Sequence, residues 1–104
     1  HPQTAPRQAD STTMRRQINA ARQRQLERQN CLNSRLDEGS LRQYCPLDSS
    51  QTQLMHRAID HYHLSTRGYY RVLRVARSIA DLAGDQTPRS NHYQEALSYR
   101  IAPN

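Results

Sequence analysis

Three arginines in the longest helical segment of this sequence could bind one anion together. Arg67, Arg71 and Arg74 recur at helical spacing between Ser65 and Gly84, so on a helix they form a single stripe. Arg67 would lie in the first turn, where backbone N–H groups are unpaired and the helix dipole is positive. A guanidinium is unfavourable there for the helix alone, but it becomes favourable when a phosphate or carboxylate binds the same groups. An ordinary solvated charged face is the alternative explanation of this stripe.

Other kinds of chemistry are poorly represented in the sequence. A phosphate-binding loop of the GxxxxGK[ST] type is absent, because the chain has no lysine. Asp60, His61 and Ser65 are neighbours near a helix end, and such neighbours rarely form a catalytic triad. His61 and His63 would point in nearly opposite directions on a helix, which argues against a metal pair. We therefore expect no catalytic activity of the isolated chain, no metal site and no cofactor of its own.

The composition limits the class of protein. The length of 104 residues suits one domain, and 35% apolar residues without Phe or Trp indicate a thin core or one completed by a neighbouring domain. The net charge is +6 and all 15 cationic residues are arginines, which suits phosphates, carboxylates and subunit contacts, although a GC-rich coding sequence would give the same bias. We expect Cys31 and Cys45 to be free, partly buried thiols of a cytoplasmic protein. We also expect no signal peptide and no membrane span.

The first part of the chain predicts a linker followed by a helix. Residues 1–10 contain two prolines and no apolar periodicity, which predicts a disordered lead-in. Ser11 or Thr12 can cap a helix whose apolar positions are sparse. We expect this narrow stripe to rest on the remainder of the fold or on a neighbouring domain. Its members are Met14, Ile18, Ala21 and Leu26.

The remaining signals predict an all-α bundle of four main helices with short connecting turns. Asp48 and Ser65 are of the residue types that cap helices, and Gly84 suits the left-handed end of the longest one. Arg77 and Asp81, four residues apart, are expected to form a structural ion pair. Residues 11–101 would form the domain. The predicted elements are a short turn at 41–44, helices over 49–63, 66–83 and about 90–100, and a frayed tail at 102–104.

The string LSTRGYYRVLRVARSIADLAG, at residues 64–84, resembles the C-terminal domain of magnesium-chelatase-related AAA+ proteins of the ComM (YifB) family. That family's pattern is close to L-S-x-R-x-x-x-R-[IVL]-L-[KR]-V-A-R-[ST]-I-A-D-L. An upstream pattern, V/I-x-x-A-R-x-x-Q-x-x-R followed by N-x-x-L, and a downstream one, H-x-x-E-A-x-x-Y-R, also match, so the resemblance covers about 11–100. Gly68, a helix-weakening residue, is a departure. The flanking matches are Ile18, Ala21, Arg22, Gln25, Arg28, Asn33, Leu36, His92, Glu95, Ala96, Tyr99 and Arg100.

The resemblance implies that the domain is the helical lid of an AAA+ ATPase whose nucleotide-binding core lies before residue 1. The parent protein would bind ATP and magnesium, form a hexameric ring and act on DNA as a branch-migration helicase in natural transformation. Arg67 matches the sensor-2 arginine, which reaches the γ-phosphate. Ser65, Arg71 and Arg74 are the candidates for nucleotide or subunit contacts. The implied partners are the parent's own core, neighbouring subunits and DNA, with no membrane, in the cytoplasm.

Two other functions stay open from the residues themselves. The positive charge and the tight turn between the helices at 49–63 and 66–83 are compatible with a stand-alone basic helical module that binds nucleic acid. Against this alternative, no base-reading Asn or Gln is grouped with the arginines at a helix start. A scaffold whose first helix docks onto a neighbour is the third possibility, and it is compatible with the lid.

Overall fold

The computed structural model describes the backbone of residues 4–100 and the side chains of residues 11–99. Over this range the chain is all-α, as predicted, although it has five α-helices where the sequence predicted four main ones. None of these described helices has the length and apolar character needed to cross a bilayer. The elements are α1 (Thr4–Gln29), a 3₁₀ turn (Asn33–Arg35), α2 (Glu38–Tyr44), α3 (Ser49–Tyr62), α4 (Thr66–Ala83) and α5 (Ser90–Arg100).

Helix α1 begins earlier than its capping signals indicated. It starts at Thr4, inside the stretch 1–10 for which the sequence predicted a disordered lead-in, and not at Ser11 or Thr12. Pro6 falls in the first turn, where a residue without an N–H group removes no intrahelical hydrogen bond. Residues 1–3, and the tail at 102–104 that was expected to fray, lie outside the described residues.

Local side-chain caps begin α3 and α4 where the sequence predicts. The Asp48 carboxylate accepts the Gln51 N–H at 2.7 Å, and the Gln51 side chain accepts the Asp48 N–H at 3.0 Å, which is a capping box. The Ser65 hydroxyl accepts the Gly68 N–H at 3.0 Å. Helix α4 ends at Gly84 with φ 81°, a left-handed conformation that glycine adopts without a Cβ clash.

Helix α2 is longer than the predicted turn at 41–44. Asp37 Oδ1 accepts the Ser40 N–H at 2.8 Å, so the helix begins at Glu38. It still ends at Tyr44, ahead of Pro46, as expected for a proline that disfavours helical backbone before it.

Helix α4 is the central element of the domain. It packs against α1, α2 and α5, while α3 packs against α5. The core contains aliphatic and tyrosine side chains, in keeping with the lack of Phe and Trp. This arrangement leaves one face of α4 for the arginine stripe. The fully buried residues of the core include Leu41, Met55, Val72, Leu73, Ala76 and Tyr93.

Helix α1 is covered along only part of its length. Of its predicted apolar stripe, Ala21 is buried, but Met14, Ile18 and Leu26 are 57%, 45% and 45% exposed. Within the predicted apolar stripe, the remainder of the fold therefore covers Ala21 alone.

Candidate functional site

The arginine stripe of α4 lines an open groove of about 610 Å³. Arg67 and Arg71 are exposed, and Arg74 is half-buried. None of the described residues that line the groove is a carboxylate, so the groove is a basic surface open to solvent. Its other walls are Ser34, Ser78, Val75, Ile79 and Leu82.

Arg67 lies in the first turn of α4 with its side chain exposed. The Ser65 hydroxyl takes the Gly68 N–H at 3.0 Å, and the Ser65 carbonyl takes the Tyr69 N–H at 2.8 Å. The helix itself therefore offers no acceptor to the N–H groups of Thr66 and Arg67. The exposed Arg67 side chain starts from the same first turn as these two N–H groups.

The other candidate contacts have different surroundings. Arg71 is exposed beside Arg67 in the groove. Arg74 Nη2 donates to the Leu36 carbonyl at 2.9 Å, which ties this arginine to the segment before α2. Ser65 does not line the groove, and its cap hydrogen bond alone explains its position. Roles for Ser65, Arg71 and Arg74 in nucleotide or subunit contact stay predictions.

A buried carboxylate joins α4 to α1 beside the groove. Asp81 is fully buried; it accepts two hydrogen bonds from Arg28, at 2.8 and 3.1 Å, and one each from Arg77 at 3.0 Å and Asn33 at 2.9 Å. Burial alone raises the pKa of the Asp81 carboxyl, but the hydrogen bonds from Arg28 and Asn33 and the charges of Arg77 and Arg28 outweigh it and lower this pKa below its ordinary value. The predicted Arg77–Asp81 ion pair is confirmed.

Sequence reasoning missed two of the partners of Asp81. Arg28 and Asn33 stood out only as matches to the family pattern, without a role. The Gln25 side chain accepts the Asn33 N–H at 2.9 Å, and Asn33 Nδ2 donates to the Ser78 hydroxyl at 3.1 Å. Three residues of the upstream pattern, Gln25, Arg28 and Asn33, thus belong to a polar network that holds the turn after α1 against α4. The sequence did contain one signal for this network. Gln25 and Arg28 share a face of α1 with Ala21, because the three residues recur at helical spacing.

The two cysteines are free, as expected, and they differ in burial: Cys45 is buried and Cys31 half-buried. Burial is the main reason that the pKa of the Cys45 thiol rises to about 11. At about pH 8 only about one such thiol in a thousand is the reactive thiolate. We expect Ellman's reagent to modify Cys31 alone in the folded chain and both thiols in urea. Rapid modification of Cys45 in a folded Cys31→Ser variant would contradict this expectation.

The comparisons with known proteins show the family of this chain. The chain belongs to the family described as magnesium chelatase, subunit ChlI C-terminal, whose model matches residues 8–100. The ComM (YifB) resemblance, to magnesium-chelatase-related AAA+ proteins, is thereby confirmed.

The relatives are much longer than this chain. The protein YifB of Escherichia coli (strain K12) is 42% identical over 90 residues, which are 86% of this chain and 18% of that protein. YifB of Salmonella typhimurium (strain LT2) is 39% identical over 99 residues, or 94% and 19% of the two chains. The competence protein ComM of Haemophilus influenzae (strain Rd) is 34% identical over 97 residues, or 93% and 19%. The chain therefore spans about a fifth of the length of these relatives.

Proposed function

We propose that this domain is the helical lid of an AAA+ ATPase and that Arg67 contacts the γ-phosphate of ATP held by the parent's core or by a neighbouring subunit. The observation that supports this is the exposed arginine side chain in the first turn of α4, which lines the groove. None of the described residues that line this groove is a carboxylate. Guanidinium and helix N-terminal N–H groups suit a phosphate because both act on the same negative charge. Such a donor stabilises the charge of phosphoryl transfer electrostatically.

The remaining machinery would belong to the other parts of the parent protein, since this chain spans about a fifth of its relatives. Between residues 11 and 99, no group of three or more His, Cys, Asp or Glu side chains could hold a metal ion. Magnesium would therefore be bound by ligands in the core together with ATP. The parent would work as a cytoplasmic hexameric ring. One relative is named a competence protein, which supports a place for the parent in natural transformation. Action on DNA as a branch-migration helicase is what the family resemblance implies, and it is part of the proposal.

A lid works by moving as a rigid body between nucleotide states. Asp81 ties α1 to α4, and Arg74 ties α4 to the segment before α2. The groove arginines would consequently move together with the packed helices, so that a contact of Arg67 with the γ-phosphate displaces the whole domain when it forms or breaks.

ATP turnover by the parent protein tests this proposal. The comparison needs three forms: the unchanged protein, Arg67→Ala, and Arg57→Ala, which removes an exposed arginine of α3 that does not line the groove. We expect turnover to fall in Arg67→Ala and to stay normal in Arg57→Ala. Equal turnover in all three forms would contradict the role of Arg67.

A stand-alone nucleic-acid-binding module is the second candidate, and the observation that favours it is the same basic groove, which could accept phosphates of DNA. The packing of α3 on α5 does not favour it, because the two helices of a helix-turn-helix would be expected to pack on each other.

A salt titration of the isolated 104-residue chain with a DNA duplex of about 20 base pairs separates the two candidates. For a lid we expect weak binding that changes little with salt. A module that neutralises several phosphates would lose affinity steeply, with a slope in log K against log salt of about −0.9 per phosphate. A steep slope that becomes shallower by about 1.8, the value for two phosphates, in the Arg67→Ala, Arg71→Ala double variant would support the module over the lid.

A further inference from the structure

Helix α1 carries a face of residues at heptad spacing that extends beyond its partner helix. Met14, Ile18, Ala21, Gln25 and Arg28 are separated by alternating steps of four and three residues, the spacing of heptad a and d positions. The C-terminal part of this face packs on α4, since Ala21 and Gln25 are buried and Arg28 pairs with a carboxylate of α4. The same face continues to Ile18 and Met14, which are 45% and 57% exposed.

The exposure of these two side chains follows from the relative lengths of α1 and α4. Arg24 Nη1 donates to the Asp81 carbonyl at 2.7 Å, and the same guanidinium lies against Gly84, the residue that ends α4. Ala21 is the last buried residue towards the start of α1, so the part of the helix that precedes it passes beyond the end of α4. Met14 and Ile18 continue a packing surface where α4 no longer covers it.

Basic residues border this uncovered face. Arg15 and Arg22 occupy its e positions, and Gln17 and Arg24 its g positions; all four are exposed. In a coiled coil, e and g residues meet the flanking residues of the partner helix and so determine which charge it must carry. Residues 11–26 include no acidic side chain. A second copy of α1 would place Arg15 against Arg22 in an antiparallel pair and Gln17 against Arg22 in a parallel one, so it offers no opposite charge to these arginines.

We propose that the face formed by Met14 and Ile18, with Arg15 and Arg22 at its border, docks an acidic amphipathic helix of a protein partner. That helix carries aliphatic residues at its a and d positions and Asp or Glu at its flanking e and g positions. The apolar pair at the centre of the face favours protein over a nucleic-acid backbone, which would offer no apolar surface to Met14 and Ile18. The proposal does not depend on any role of Arg67.

Site-specific photocrosslinking in the intact parent protein tests the proposal. A benzophenone amino acid is placed at Gln17, which borders the face, and in a matched control at Gln23, an exposed glutamine on the opposite side of α1. After irradiation in cells, mass spectrometry identifies the attached segment. We expect the probe at Gln17 to attach to a helical segment with the stated apolar and acidic pattern, and the probe at Gln23 not to attach to it.

Charge reversal supplies the second arm of the test. Arg15→Glu with Arg22→Glu should lower the crosslinking yield at Gln17 by about tenfold or more, because each flanking pair changes from attraction to repulsion. Gln23→Glu should not change it. Unaltered far-UV circular dichroism would show that the helix is retained. Attachment to nucleic acid, to a second α1 or to a segment without the pattern, no attachment, or a yield unaffected by the charge reversal would each overturn the proposal.

Discussion

We expect the replacement of Arg67 by alanine in the parent protein to lower the proposed ATP hydrolysis by about 10- to 100-fold in kcat. A hydrogen bond to a charged group contributes about 1.5–3 kcal/mol, and each 1.4 kcal/mol of transition-state stabilisation is about a factor of ten in rate. Because the contact strengthens as charge develops on the transferring phosphoryl group, we expect the loss in kcat more than in KM. Steady-state kinetics at saturating ATP and magnesium measure both quantities.

Because Arg67 is exposed, its replacement should change ATP turnover without unfolding the domain. An exposed side chain away from the core contributes about 0.5 kcal/mol or less to stability, so the variant domain should unfold at the same urea concentration as the unchanged one. Arg57→Ala, on exposed α3 surface, controls for the loss of one positive charge. Normal turnover in Arg67→Ala, or an equal loss in Arg57→Ala, would show that Arg67 has no specific contact with the nucleotide.

We expect the replacement of Asp81 by alanine to destabilise the domain by about 3–5 kcal/mol, the usual effect of removing one partner of a buried ion pair. The Arg77 side chain is 1% exposed, and it would keep a buried charge without its carboxylate. Domains of this size have a total stability of about 5–15 kcal/mol, so the change removes much of it. Urea unfolding followed by far-UV circular dichroism measures the difference.

Two further variants keep this prediction testable when Asp81→Ala does not fold. Asp81→Asn retains the side-chain shape but loses the charge, so it should be less stable than the unchanged chain and more stable than Asp81→Ala. Asp60→Asn changes an exposed carboxylate of α3 and should have almost no effect. A stability of Asp81→Asn equal to that of Asp60→Asn would contradict the structural role of this carboxylate.

The same carboxylate makes stability depend on pH. The pKa of Asp81 is lower in the folded chain than its ordinary value of 3.8, so the unfolded chain binds the proton more readily. The stabilisation by Asp81 is therefore fully present above about pH 4 and is lost as the pH falls through the folded-state pKa. We expect the free energy of unfolding to decrease in this acidic window, and the decrease to be smaller in Asp81→Asn.

The sequence by itself determined the helices whose signals are local. Asp48 and Ser65 cap α3 and α4 through N–H groups three residues away, and Gly84 ends α4 at the predicted place. The Arg77–Asp81 pair was also predictable, because a spacing of four residues brings side chains together on any helix. The long pattern around α4 identified the family for the same reason, since it is contiguous in the chain.

Only the tertiary structure decided which arginines of α4 are buried and which face solvent. Arg77 is enclosed with Asp81, whereas Arg67 remains exposed in the groove, although the two have the same chemistry and lie on the same helix. Arg28 and Asn33 reach Asp81 from positions 53 and 48 residues earlier in the chain. Such contacts depend on how helices pack, and residue type and local spacing contain no information on which distant segment will supply the partner.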